Sequence, residues 1–387
     1  MTDIKELGSN LQRGRKYLDL CFNWMYLEFL RKSASPIKNT VILSIFPTIM
    51  LVCWFLMAIE VAQFKIGGNL TIFAHLMVYF GAFYQSLWKY FSFIWHDEKI
   101  KRFKNFIEDV QTSIHSRCLL SNIRYREYEK VLKYYVSFVS VCIKAMVISV
   151  LLLYVFNAYV TDFTSGLMFT IPLLSETSLF YRPINLIFQF ICFAIGASIF
   201  VEGDLILVLI VGYLDAELKS IIAYILVMRD ESIARENGRE ILKNVYSNHL
   251  RIQLILNDLR SIYWYLSIQL ILTSFIYICF TFFLAKVVTI SMGTFIILFN
   301  CTSLLFIFSY MSQILLNRTE EVAYALWQTS WYSLSVEDQL SFLKILHIAQ
   351  KSKGLSAAGV TTISINTVVQ VLKAAITYGT ILFTFIN

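Results

Sequence analysis

Six polar side chains in an otherwise apolar closing segment carry most of the chemistry this sequence offers. Asn366, Gln370, Lys373, Thr377, Thr380 and Thr384 recur through residues 363–387. At about 100° per residue they fall within about 40° of one helix face. A lysine at the centre of a bilayer costs ~2.5–3.5 kcal/mol on insertion scales, so such a stripe should turn towards protein or water. Two arrangements satisfy it. One is a hydrogen-bonded seam with neighbouring helices; the other is a water-filled path lined by one such helix from each of several subunits. The spacing leaves both open.

No competing group of residues points to catalysis. The seven cysteines (Cys21, Cys53, Cys118, Cys142, Cys192, Cys279 and Cys301) form no CxxC pair and no zinc spacing, and the five histidines are scattered. There is no glycine-rich phosphate loop and no nucleophile motif. The expectation is a protein that is not an enzyme and that takes no metal and no cofactor.

The elements that must position the stripe follow from composition. The chain is 57% hydrophobic and only 15% charged, with four prolines among 387 residues. Windows of about 20 apolar residues match a bilayer core of roughly 30 Å, whereas a β-barrel needs short alternating segments. The fold class expected is an all-α polytopic membrane protein with seven transmembrane helices, at about 40–62, 70–94, 134–160, 186–210, 263–285, 288–315 and 363–386. No cleavable signal sequence opens the chain, so the first span acts as its own insertion signal.

Charge sets the direction. Of the lysines and arginines outside the spans, 27 lie in 1–38, 96–133, 211–262 and 316–362, against three (Lys65, Arg182 and Lys286) in the alternate loops. The N-terminus is therefore expected in the cytoplasm and the C-terminus outside. This is the reverse of a G-protein-coupled receptor, so no G protein is called for. The basic balance reflects topology and not nucleic acid. Asn69, in the sequon Asn69-Leu70-Thr71 of the first outer loop, is the glycosylation candidate; Asn317 falls on the cytoplasmic side.

The organisation expected is a cytoplasmic segment over 1–39, helices one to six over 40–315, a cytoplasmic anchor helix over 316–362 and the last helix over 363–387. Within 211–262 the fourth and fifth helices extend inwards. Ile241, Val245, Ile252, Ile255 and Leu259 share a face there that runs on into the fifth span. Residues 321–350 are expected to form a third inner helix, with Ser335 as its N-cap ahead of Asp338. Helices that leave the bilayer with apolar faces must bury them, so a packed helical anchor domain is expected.

Two further lysines lie within the spans. Lys89, near the inner end of the second, is expected to snorkel, and Lys144 to pair with Glu202 or Asp204. The outer halves of the spans are rich in aromatics; the second offers Phe73, Tyr79, Phe80 and Phe83, with Leu76 among them. Such walls suit a small, mostly neutral organic ligand, and the apolar 161–185 segment is long enough to fold over it.

The closing stretch now carries a resemblance. Residues 325–385, "ALWQTSWYSLSVEDQLSFLKILHIAQKSKGLSAAGVTTISINTVVQVLKAAITYGTILFTF", resemble the C-terminal signature of insect odorant receptors. In that family a Trp-containing inner helix and a polar turn precede a last helix with a "VLK" and Tyr core. Gustatory receptors share the architecture, but Thr384 stands where their Gln falls, so that reading ranks second and a transporter third. The resemblance implies an odour-binding subunit of a ligand-gated, non-selective cation channel in the plasma membrane of an olfactory sensory neuron dendrite. Its partners would be a small volatile organic ligand and the odorant co-receptor, in a heterotetramer whose last helices line a central pore. It places the ligand among Leu76, Tyr79, Phe80, Ser149, Leu152, Phe156, Phe295 and Phe299. It also places the gate at Ile381 and Phe385, with Thr384 facing the pore; Lys373 and Thr377 of the polar stripe are the further pore candidates. Gly379 departs from the aromatic residue common after the family's Tyr, which leaves open how closely the outer end of this helix packs.

Overall fold

The computed structural model describes residues 9–26, 36–63, 70–114, 118–160, 170–171, 174–175, 177–287, 292–351 and 354–384. They form an all-helical molecule: α1 (Ser9–Met25), α2 (Pro36–Gln63), α3 (Leu70–Trp95), α4 (Asp97–Ile114), α5 (Leu119–Val160), α6 (Tyr181–Ile225), α7 (Glu231–Ile262), α8 (Trp264–Val287), α9 (Met292–Trp327), α10 (Val336–Ala349) and α11 (Ile365–Thr384). Where described, each of the seven apolar stretches falls mostly within a helix. Among the described residues, Lys38–Gln63, Tyr181–Arg229 and Trp264–Phe282 are long and apolar enough to cross a membrane.

Length explains the shape. α5 has 42 residues and α6 has 45, so at 1.5 Å per residue each runs over ~60 Å, about twice a bilayer core. α6 is the central helix. From Leu205 to Leu218 every residue is buried, the pattern of a helix surrounded on all sides. Gly212 allows this, since a Cβ there would stand 2.8 Å from the ring of Tyr135 on α5.

Buried charge ties the projecting halves together. Arg124 of α5 grips Glu217 of α6 through two hydrogen bonds of 3.0 and 2.5 Å and also reaches Ser113 of α4 and Asn248 of α7. Burial alone would lower the Arg124 pKa, but the Glu217 carboxylate outweighs it and holds the guanidinium above its ordinary value. Asp215 is likewise met by Arg318 of α9 at 2.7 Å.

α2 contains Pro47 in its interior. A proline has no N–H, so the carbonyl four residues back, that of Leu43, loses its helical partner. The Tyr90 hydroxyl of α3 supplies a replacement at 2.8 Å. In lipid an unpaired carbonyl has no water to turn to.

Several expectations change here. The face of Ile241, Val245, Ile252, Ile255 and Leu259 is buried, but α7 and α8 are separate helices that break at Tyr263. α9 runs without interruption through 315/316 to Trp327, so the inner end of the sixth expected span and the start of the inner segment share one helix. The single helix expected over 321–350 is instead the end of α9, a 3₁₀ turn at Trp331–Ser333 and α10. α10 does start as expected, its cap formed by Ser335 Oγ accepting from the Asp338 N–H. A short hairpin, Ser356–Ala357 with Thr361–Thr362, was not foreseen. Its turn uses positive φ at Ala358 (47°) and Gly359 (75°), as a tight primed turn requires.

Candidate functional site: the free face of the last helix

α11 is held at its start by one side chain. Ser312 of α9 accepts from the Leu355 N–H at 2.9 Å and donates to the Ile363 carbonyl at 2.6 Å. The hydroxyl thus clamps both legs of the hairpin leading into the helix. Along its length α11 lies against α8 and α9 through Val368, Val371, Ala375 and Gly379, all buried. Gly379 answers the question it raised. A Cβ there would lie 3.1 Å from the Cys279 carbonyl and from Phe282 Cβ, so the outer end of α11 packs backbone to backbone on α8. Cys279 Sγ donates to the Ala375 carbonyl at 3.3 Å in the same contact.

The polar stripe is on the opposite side. Taking Asn366 as zero, the packed residues centre on about 180°. Asn366, Gln370, Lys373, Thr377, Thr380 and Thr384 are all exposed. Among the described residues, no helix of its own chain forms a seam with this stripe. The threonines are satisfied within α11: Thr377 bonds the Lys373 carbonyl, Thr380 that of Thr377 and Thr384 that of Ile381, at 2.7–2.9 Å. Lys373 makes no ion pair among the described residues. Ile381 is also exposed, beside the stripe.

The expected ligand residues are only partly visible. Asn69 and Phe385, and the side chains of Phe73, Leu76, Tyr79, Ser149, Leu152, Phe156 and Phe295, lie outside the described residues. Phe80 is half-buried and stacks on Trp54 of α2, with centroids 4.8 Å apart. Phe83 is buried edge-on to Phe193 of α6 at 5.5 Å. Phe299 is 64% exposed, and no contact joins it to Phe80 among the described residues. The outer segment is tied down where it is described: Thr170 donates to Glu60 at 3.3 Å, and the Ile171 N–H to Asn185 Oδ1 at 2.8 Å.

The expectations for Lys89 and Lys144 are corrected. Lys89 does not snorkel: it is 6% exposed and bonds Asp204 at 2.7 Å and the Phe200 carbonyl at 2.8 Å. Lys144 is exposed on α5 and pairs with neither Glu202 nor Asp204 among the described residues. Depth could have found the true pair. Lys89 and Asp204 sit five and six residues from the inner ends of their expected spans, whereas Lys144 is ten residues from its own.

A family model described as 7tm Odorant receptor matches residues 69–376. A search of curated proteins finds no match. The fold is similar to that of the insect olfactory receptor OR5 from Machilis hrabei in complex with eugenol, with a TM-score of 0.80 over 98% of this chain and 100% of that one, at 14% identity. A second structure of the same receptor aligns with a TM-score of 0.66 over 90% of each chain, again at 14% identity. At that identity the likeness is one of fold, while the family match covers most of the sequence. The chain is thus no enzyme but a membrane protein, and it belongs to the 7tm odorant receptor family.

Proposed function

We propose that this chain is the odour-binding subunit of a ligand-gated, non-selective cation channel. It crosses the plasma membrane seven times with its N-terminus in the cytoplasm, and it assembles with the odorant co-receptor in a heterotetramer. One α11 from each subunit lines the central pore.

The observation that carries this reading is the orientation of α11. Six polar side chains, one of them a lysine, turn away from every described helix of their own chain, although a lipid-facing surface would penalise each of them. A shared aqueous path, flanked by seams between subunits, removes that penalty. Ile381, at the edge of the stripe, and Phe385 beyond it would form an apolar constriction of the kind that closes by dewetting, with Thr384 between them. A small volatile ligand would bind among α3, α5, α6 and α9 in the outer half, where Phe80 belongs to an aromatic cluster. The similarly folded receptor from Machilis hrabei is described in complex with a small organic ligand, eugenol.

The test is to express the chain with the co-receptor and record current while a panel of volatiles is applied. Odour-evoked cation current that needs both subunits supports the reading. Surface-expressed complex that conducts with none of the panel counts against it.

A further inference from the structure

A cavity of about 1150 Å³ opens between α1, α4 and α5. The channel reading makes no use of it. Arg13, Arg15 and Lys16 line it together with Asn23, Ser137 and Ser140. Arg15 is already engaged, donating to Gln111 at 2.7 Å and Glu108 at 2.8 Å and lying 3.8 Å from Asp19. Arg13 and Lys16 are exposed and make no hydrogen bond or ion pair among the described residues. Asp19 lines the cavity as well, on the side of Arg15, so among the described residues Arg13 and Lys16 are the two cations there that no carboxylate meets.

The helix that presents them is fixed in place. Its first turn is capped by Glu129 of α5, which accepts from the N–H groups of Leu11 at 3.1 Å and Asn10 at 3.4 Å. Phe22 and Met25 are wholly buried further along. On the other side of α1, Arg13, Lys16, Leu20 and Trp24 fall within about 40° of one direction. That face is graded along the axis: the two cations come first, then Leu20 and Trp24, both more than 40% exposed. The neighbouring surface of α5 continues the apolar end, since Val141 and Ile148 are exposed at 64% and 56%. A soluble anion would account for the cations but not for the apolar rows beside them. A phospholipid accounts for both.

We propose that this cavity binds the headgroup of an anionic phospholipid of the cytoplasmic leaflet, with its acyl chains along Leu20, Trp24 and the exposed face of α5. The leaflet rests on the orientation proposed above; the chemistry of the site does not. Arg13 and Lys16 would meet the headgroup phosphate, and the cavity serines would offer hydroxyls to it.

The test uses the purified full-length chain in detergent, with lipid binding read by native mass spectrometry. The probe is dioctanoyl phosphatidylinositol 4,5-bisphosphate, and the controls are dioctanoyl phosphatidylcholine and free inositol trisphosphate. Each cation should be worth about fivefold in affinity, so Arg13→Gln with Lys16→Gln should weaken binding by about 25-fold. The charge-conserving pair Arg13→Lys with Lys16→Arg should keep it, which separates lost charge from lost folding. Equal binding by wild type and the glutamine pair, or equal binding of phosphatidylcholine, overturns the site. Binding of free inositol trisphosphate as tight as the lipid overturns the lipid and leaves an anion site. None of these readouts depends on an odour-evoked current, so failure of the channel reading and failure of this one are distinguishable.

Discussion

Lys89 Nζ of α3 lies 2.7 Å from Asp204 Oδ2 of α6, with the two side chains 7% and 17% exposed. The ammonium also stands 4.1 Å from the centre of the Phe200 ring. Gly203 makes room for it, because a Cβ there would come within 3.0 Å of Lys89 Cδ. Removing one partner of a buried pair leaves an uncompensated charge, at a cost of about 3–5 kcal/mol, while removing both can be near neutral. Lys89→Met should therefore lower the melting temperature in detergent sharply, and Lys89→Met with Asp204→Leu should recover most of it. Identical melting of the single and double variants would show that the pair carries no buried charge.

Tyr90 and Pro47 form a second coupled pair, through the Leu43 carbonyl. Tyr90→Phe leaves that carbonyl unsatisfied and should destabilise by about 1–3 kcal/mol. In a Pro47→Ala background the restored N–H can take the carbonyl, so the same Tyr90→Phe change should cost much less. A double-mutant cycle on thermal unfolding measures the difference. Additive effects would mean that the hydroxyl does not stand in for the missing helical bond.

Gly379 sets the distance between α11 and α8. Gly379→Leu should push the helices apart and destabilise by about 1–3 kcal/mol through overpacking, whereas Gly379→Ala needs only a few tenths of an ångström of adjustment. If the chain forms the proposed channel, the leucine variant should also change the size of the odour-evoked current. Wild-type melting and current in Gly379→Leu would contradict the close packing described.

The exposed stripe can be tested through its charge. If it faces a cation path, Lys373→Glu should raise cation permeability and shift the reversal potential in divalent-rich solution, with Lys373→Gln in between. Ile381→Ser should raise the ligand-free leak, since a dewetted constriction needs apolar side chains. Unchanged reversal potentials in both Lys373 variants would move the stripe out of the pore and into a subunit seam.

Hydropathy and charge spacing made the helices legible. Apolar runs of bilayer length predicted the segments that became α2, α3, α5, α6, α8, α9 and α11, because burying a helix in lipid demands length and little else. The stripe on α11 was legible too, since its period is local to one helix. Where each helix faces was not, because hydropathy reports depth and says nothing of rotation about the axis. Lys89 shows this: its depth fits both snorkelling and a pairing with Asp204, and the packing of α3 against α6 decided for the pairing. Gly379 read as a departure until α8 was seen to need its missing side chain.

The sequence by itself determined that the chain is helical, membrane-spanning in composition, and closed by a helix with one polar face. Only the tertiary structure decided that this face is the free one. Val368, Val371, Ala375 and Gly379 bury the opposite side against α8 and α9, and a helix that spends its small and apolar residues on its own chain must turn its polar ones outwards.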